Sequence, residues 1–234
     1  REEKVAIQQD KIKQTEAYEN FKDAEQILLR RLREEETKKD VLRRKIATAI
    51  RREIAAAEER RKKAEAARKK NTPDNSNTAT EPFFAETKEA AKLSASFEGN
   101  KGKLPWPVDK GSITERFGKN PHPTLKNVTT NNRGIDISTP KNAQVRSVFR
   151  GEVTSVLNIP GAGKVVIIKH GNYRTVYCNL KDTYVVSGSK VATKKVIGSL
   201  LSKDKQNMSV AHFEIHKVTG NSVVCLNPTL WVVH

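Results

Sequence analysis

The first 70 residues contain neither glycine nor proline, whereas all 12 glycines and all 9 prolines fall after them. A stretch of that length without a backbone breaker, built from Lys, Arg, Glu, Ala and Gln with sparse apolar residues, is predicted to form a long helix or a helical coiled-coil hairpin. Val5 and Ile12 are seven apart, Leu28 and Leu32 four apart, and Leu42, Ile46, Ile50 and Ile54 recur every fourth residue. One narrow apolar stripe does not fold alone, so this arm requires a second helix, in the same chain or in a partner. The polar run from Arg33 to Asp40 interrupts the stripe and is the natural place for a turn; with no Gly or Pro there, a continuous helix stays open. Fully helical at ~1.5 Å per residue, the segment reaches on the order of 100 Å, which suits a spacer or a lever. The Ala/Arg/Lys tract from Ala55 to Lys70 reads as a solvated helix end in preference to an anionic-lipid site.

Residues 71–101 form a connector. Its first part, Asn71-Thr72-Pro73-Asp74-Asn75-Ser76-Asn77, has a linker's polar composition and nothing apolar to bury. From Thr87 to Glu98 the pattern is that of a short amphipathic helix: Ala90, Leu93 and Phe97 share a face and Gly99 supplies a stop. So short a helix is marginal by itself and must dock, either as a cap on the following domain or as a cover over a functional groove.

The formal net charge of +17 divides into +7 over residues 1–70, −1 over 71–110 and +11 over 111–234. Such a surface attracts nucleic acid, anionic lipid, anionic cell-wall polymer or an acidic protein. No zinc-finger spacing, RNA-binding aromatic motif or helix-turn-helix pattern supports nucleic acid, which is set aside. The sequence begins at Arg1 without a signal-peptide pattern and reads as a mature or trimmed fragment; no apolar run approaches the roughly 20 residues of a membrane span. Cys178 and Cys225 show no disulfide framework, and whether they pair is left open.

From residue 102 to 234 the pattern turns to short Val-, Ile- and Thr-rich runs. Strands are expected at 145–148, 151–157, 165–170, 173–178, 196–201 and 212–218, separated by turn signals such as Pro160-Gly161-Ala162-Gly163 and His170-Gly171-Asn172. Closely spaced strands without helices between them imply an antiparallel, sheet-rich domain, and the chain as a whole is assigned to the α+β class.

Several motifs in this domain occur in a telling order: Gly-Lys-Leu-Pro-Trp-Pro-Val (102–108), Arg-Phe-Gly (116–118), Arg-Gly-Ile-Asp-Ile (133–137), Val-Tyr-Cys-Asn-Leu (176–180), Val-Ser-Gly-Ser-Lys-Val (186–191) and Ala-His-Phe-Glu-Ile (211–215). Over residues 102–232 this resembles the LytM or M23 (lysostaphin-like) zinc endopeptidase domain. Preceded by a coiled-coil arm, it resembles the EnvC-like murein hydrolase activators. Active M23 domains carry His-x-Gly-x-Asp, Tyr-x-His-Leu and His-x-His, with two His and the Asp on zinc and the other two His assisting water and oxyanion. Mapped onto this chain, the zinc positions are Asn132, Asp136 and His212, and the two auxiliary positions are Asn179 and Val210.

Three of those five have lost the imidazole, so the resemblance implies a degenerate site with no cofactor and no peptidase activity by the usual route. It further implies that a groove lined by Asn132, Asp136, Asn179, Val210 and His212 binds a peptidoglycan amidase in daughter-cell separation. The arm would answer to an FtsEX-type membrane complex, and the location would be periplasmic. The helix carrying Ala90, Leu93 and Phe97 is the candidate autoinhibitory element. Two alternatives are a wall-binding module, holding peptidoglycan through its basic surface, and a residual zinc endopeptidase. His122, His170, His216 and His234 lack ligand spacing and read as turn or surface residues.

Overall fold

The computed structural model describes residues 2–70, 88–121, 128–160, 163–202, 207–220 and 222–233, with the side chains of 8–66 in the first stretch. Helix α1 (Glu2–Lys70) is continuous, and the Arg33–Asp40 run lies inside it without a turn. Each residue there keeps its i→i−4 bond, since nothing in the run removes a donor; Thr37 Oγ1 bonds back to the Arg33 carbonyl at 2.8 Å. The chain divides into two compact units, residues 1–48 and 49–234. In the first, Ile12, Tyr18, Phe21 and Ile27 are exposed.

Among the described residues the second unit contains the rest of α1, helix α2 (Lys88–Gly99) and twelve strands. These are β1 (Ser112–Glu115), β2 (Gly118–Pro121), β3 (Thr129–Asn132), β4 (Ile135–Pro140), β5 (Gln144–Arg146), β6 (Gly151–Ile159), β7 (Gly163–His170), β8 (Tyr173–Thr183), β9 (Lys190–Val191), β10 (Val196–Leu200), β11 (Met208–Thr219) and β12 (Ser222–Leu226). The strand expectations hold, with β8 and β11 longer than their apolar cores suggested. Ten strands form one antiparallel sheet with the path β1-β4-β11-β8-β7-β6-β9; β12 pairs with β11, and β10 with β5 and β8. Strands β2 and β3 make a separate ribbon. The fold is a long helix followed by an antiparallel LytM-like β domain.

Alternation along the strands gives the sheet two different faces. One face sends Ile135 and Ile137, Phe213 and Ile215, Tyr173 and Tyr177, and Val166 and Ile168 into the main hydrophobic core. Helix α2 packs there. Phe97 is fully buried, with its ring 4.8 Å from Tyr173, 5.0 Å from His170, 5.2 Å from Trp231 and 5.4 Å from Phe149. Leu93 packs against the same core. Ser94 Oγ accepts from the Asn172 amide at 2.8 Å, in the β7–β8 turn. Gly171 in that turn has φ +69°, and a Cβ there would collide with Ser94 Oγ and, at 2.5 Å, the Ala90 carbonyl. Glycine is therefore required twice over, by conformation and by the closeness of α2.

The other face is also covered. Val165, Ile167, Val176 and Cys178 are fully buried yet stand apart from the main core. On this face α1 is clasped to the sheet. Glu53 takes two hydrogen bonds from Arg174, Nε at 2.7 Å and Nη2 at 3.0 Å, and one from Lys169 Nζ at 3.0 Å. Ile50, one turn earlier, is 1% exposed. Burial would raise the Glu53 carboxyl, but the charges of Arg174 and Lys169 and their hydrogen bonds hold it below the usual range. Arg174 Nη1 is spent on the carbonyls of Gly171 and Tyr173.

Both cysteines are free thiols. His170 and His216 are buried, so the turn-or-surface reading of them is corrected. His170 ends β7 on the core side, with Nδ1 against the Arg150 carbonyl at 2.7 Å and Nε2 against Thr175 Oγ1 at 2.8 Å. Burial pushes its pKa down to about 4, against the Arg150 hydrogen bond and helped by the Arg174 charge. His122 and His234 lie outside the described residues.

Candidate functional site

The strand register decides which of the five mapped positions meet. His212 on β11 lies directly between Asp136 on β4 and Cys178 on β8, and Glu214 and His216 follow at the next two positions of the same face. His216 in turn faces Arg174 on one side and Cys225 of β12 on the other. A polar row thus crosses the sheet on the face clasped by Glu53, opposite the face occupied by Phe97.

The row is continuously bonded. Asp136 Oδ1 lies 2.5 Å from His212 Nδ1, His212 Nε2 is 3.0 Å from Glu214 Oε1, and Glu214 Oε2 is 2.6 Å from His216 Nε2. His216 Nδ1 then lies 3.7 Å from Cys225 Sγ. Burial would lower the His212 pKa, but its hydrogen bonds to Asp136 and Glu214 and their charges push it up to about 10. His216 is pushed up to about 9 against the same burial effect, by its bonds to Cys225 and Glu214. Burial would raise Glu214, yet the two imidazoles hold it far below the usual carboxylate range. Cys178, buried beside this row, has its thiol pushed well up, first by burial and then by the negative charge of Glu214 and Asp136.

The remaining three positions are spent on the backbone. Asn132 ends β3 and is buried; its Oδ1 accepts from the Gly134 amide at 3.0 Å, while its Nδ2 is buried without a hydrogen-bond partner. This local turn suits asparagine. Gly134 is needed beside it because a Cβ would strike the Phe213 carbonyl. Asn179 has φ +62°, a left-handed conformation that asparagine tolerates, at an irregularity in the β8 pairing. Its Nδ2 donates to the Val210 carbonyl at 3.1 Å, so the two auxiliary positions are joined, though not through a side chain of Val210.

A zinc ligand set needs neutral imidazole lone pairs and free carboxylate oxygens. Here both nitrogens of His212 are engaged by carboxylates, and the oxygen of Asn132 already serves the Gly134 amide. With Asn132 at the first position, the mapped zinc positions offer one imidazole and one carboxylate, and among the described residues no group of three His, Cys, Asp or Glu is disposed to hold a metal. What the row does provide is a rigid, charge-alternating strip inside a β face.

Glu214 and His216 were missed as members of this row. Their signal was present as His212-Phe213-Glu214-Ile215-His216, an alternation that places all three polar side chains on one face of a strand.

Residues 130–225 match the model for Peptidase family M23. The chain is 34% identical over 113 residues to Peptidoglycan DD-endopeptidase ShyA of Vibrio cholerae, covering 47% of this chain and 26% of that protein. It is 36% identical over 104 residues to the uncharacterized protein NMB1333 of Neisseria meningitidis, covering 44% and 16% respectively. The chain therefore spans only a minor part of the length of these relatives. A zinc containing peptidase from Vibrio cholerae superposes with a TM-score of 0.44 at 27% identity, over 57% of this chain and 41% of that one. The β domain that carries the Asp136–His212 row is an M23/LytM-like peptidase domain, homologous to bacterial murein-modifying proteins.

Proposed function

We propose that this protein is a non-catalytic activator of cell-wall amidases, acting in daughter-cell separation at the periplasmic face of the envelope. The observation that carries the reading is the loss of imidazole at three of the five mapped positions, Asn132, Asn179 and Val210, which leaves one imidazole and one carboxylate, His212 and Asp136, as ligand types. Asn179 and Val210 supply no group that exchanges a proton near neutral pH. The face lined by Asn132, Asp136, Asn179, Val210 and His212 is then a docking groove for the amidase, and α1 is the element that receives an FtsEX-type signal.

In this reading the restraint belongs to α1 and not to the helix carrying Ala90, Leu93 and Phe97. The α2 anchors lie in the main core, on the opposite side of the sheet, whereas Glu53 of α1 is clasped on the site face. Restraint and amidase compete for one surface, so the mechanism is a population shift.

Metal content is measured together with digestion of purified peptidoglycan, with and without an amidase from the same cell. No zinc, no cleavage alone and faster cleavage by the amidase support the proposal. Stoichiometric zinc with cleavage by this protein alone replaces it with a zinc endopeptidase. Salt-sensitive binding to purified sacculi with no effect on any hydrolase replaces it with a wall-binding module, a reading favoured by the +11 charge of residues 111–234.

A further inference from the structure

The hairpin of β11 and β12 ends the polar row at a sulfur, and neither peptidase chemistry nor amidase docking uses that sulfur. His216 and Cys225 are directly paired across the hairpin, with Nδ1 and Sγ 3.7 Å apart. The far nitrogen of the ring, Nε2, is 2.6 Å from the buried Glu214 carboxylate. That contact fixes the ring's orientation, because a carboxylate accepts only: Nε2 carries its hydrogen toward Glu214, and Nδ1 faces the sulfur. Sulfur, imidazolium and carboxylate are thus arranged as nucleophile, facing positive charge and orienting group.

Exposure separates this thiol from the other one. Cys225 is half-buried, whereas Cys178 is sealed inside the sheet at 1% exposure. Burial of Cys178, with the charges of Glu214 and Asp136 added to it, suppresses its thiolate.

We propose that Cys225 is a modification site, a thiol activated by His216 and Glu214 that undergoes exchange with small disulfides. In the step, the Cys225 proton goes to solvent, and the sulfur, its charge facing the protonated His216 ring, attacks one sulfur of the disulfide. The S–S bond breaks, and the departing thiolate takes a proton from solvent and leaves as a free thiol. Cys225 ends as a mixed disulfide, and one half of the small disulfide is reduced, so electrons and protons balance. His216 and Glu214 are positioning residues in this scheme.

The full-length protein is incubated with glutathione disulfide at pH 7, and mixed-disulfide formation at each cysteine is followed by peptide mass spectrometry, beside the same chain unfolded in urea. The expected result is that Cys225 reacts at least tenfold faster in the folded than in the unfolded chain while Cys178 reacts only when unfolded. His216→Gln, with its fold checked by circular dichroism, is expected to remove the acceleration and leave the unfolded rate unchanged. Equal folded and unfolded rates at Cys225, or a folded His216→Gln variant as fast as the native protein, would overturn the proposal. The folded-to-unfolded comparison needs no variant, so a His216→Gln chain that does not fold leaves the test intact.

Discussion

Phe97→Ala separates a core helix from a removable one. Phe97 is 0% exposed and touches four aromatic rings, those of Phe149, His170, Tyr173 and Trp231, at centroid distances of 4.8 to 5.4 Å. Truncating a fully buried Phe costs about 3–5 kcal/mol, the upper end applying where neighbours do not collapse into the space. Collapse is restricted here: Tyr173 begins a central strand, His170 is held at both ring nitrogens, and Trp231 follows the short 3-10 turn Pro228–Leu230. At roughly 2–4 °C per kcal/mol for a unit of this size, the midpoint should fall by roughly 10 °C. Thermal unfolding followed by tryptophan fluorescence is the assay, since the Trp231 ring lies 5.2 Å from the substituted side chain. A midpoint within ~3 °C of the native value would refute the argument, because it would mean that α2 leaves the domain without disturbing the core. Under that outcome the helix carrying Ala90, Leu93 and Phe97 returns as a candidate restraint.

Two other perturbations test the clasp and the buried histidine. Glu53→Gln should cost about 3 kcal/mol, since it leaves the nearly buried Arg174 guanidinium without its carboxylate, and should hasten proteolysis of residues 49–66; an unchanged urea midpoint counts against the clasp. His170 titrates at its ordinary 6.5 when unfolded and at about 4 when folded, so below pH 6.5 the unfolded chain binds the proton first. Stability attributable to His170 is therefore whole above pH 6.5 and falls by about 3 kcal/mol as the pH drops to 4. Urea titrations between pH 7 and pH 4 should show a flatter loss in His170→Gln than in the native chain, and parallel losses would exclude His170 as the source.

The sequence was most legible where one physical rule dominated. Seventy residues without Gly or Pro dictated a helix, and period-two Val and Ile runs dictated β6, β7, β8 and β11. The motif order located Asp136 and His212, which the structure brings together at 2.5 Å. What stayed hidden depended on which face of the sheet each element covers. The amphipathic pattern of Ala90, Leu93 and Phe97 required docking, but nothing local to it distinguished the aromatic core from the polar face. Likewise His170 and His216 looked like turn residues in one dimension, because the partners that bury them, Arg150, Thr175, Glu214 and Cys225, are contributed by sheet register and packing.

Register also explains why the clasp and the polar row belong to one problem. Lys169, Arg174 and His216 occupy successive strands at paired positions, so the Glu53 carboxylate on α1 meets the same face that carries Glu214, His212 and Asp136 farther along. Under the proposed function, a protein that docks on Asp136 and His212 approaches a face already held by a bidentate ion pair, and its binding energy must displace that pair. Arg174 is the costly participant: buried, and satisfied by Glu53 and two carbonyls, it requires a replacement acceptor when α1 leaves. An activating partner, or the signal that moves α1, therefore has to provide either an acidic group for Arg174 or access to water. On this reasoning Glu53→Gln lowers the barrier to amidase activation, whereas Arg174→Met, which removes the need for the acceptor, relieves the restraint without leaving a buried charge.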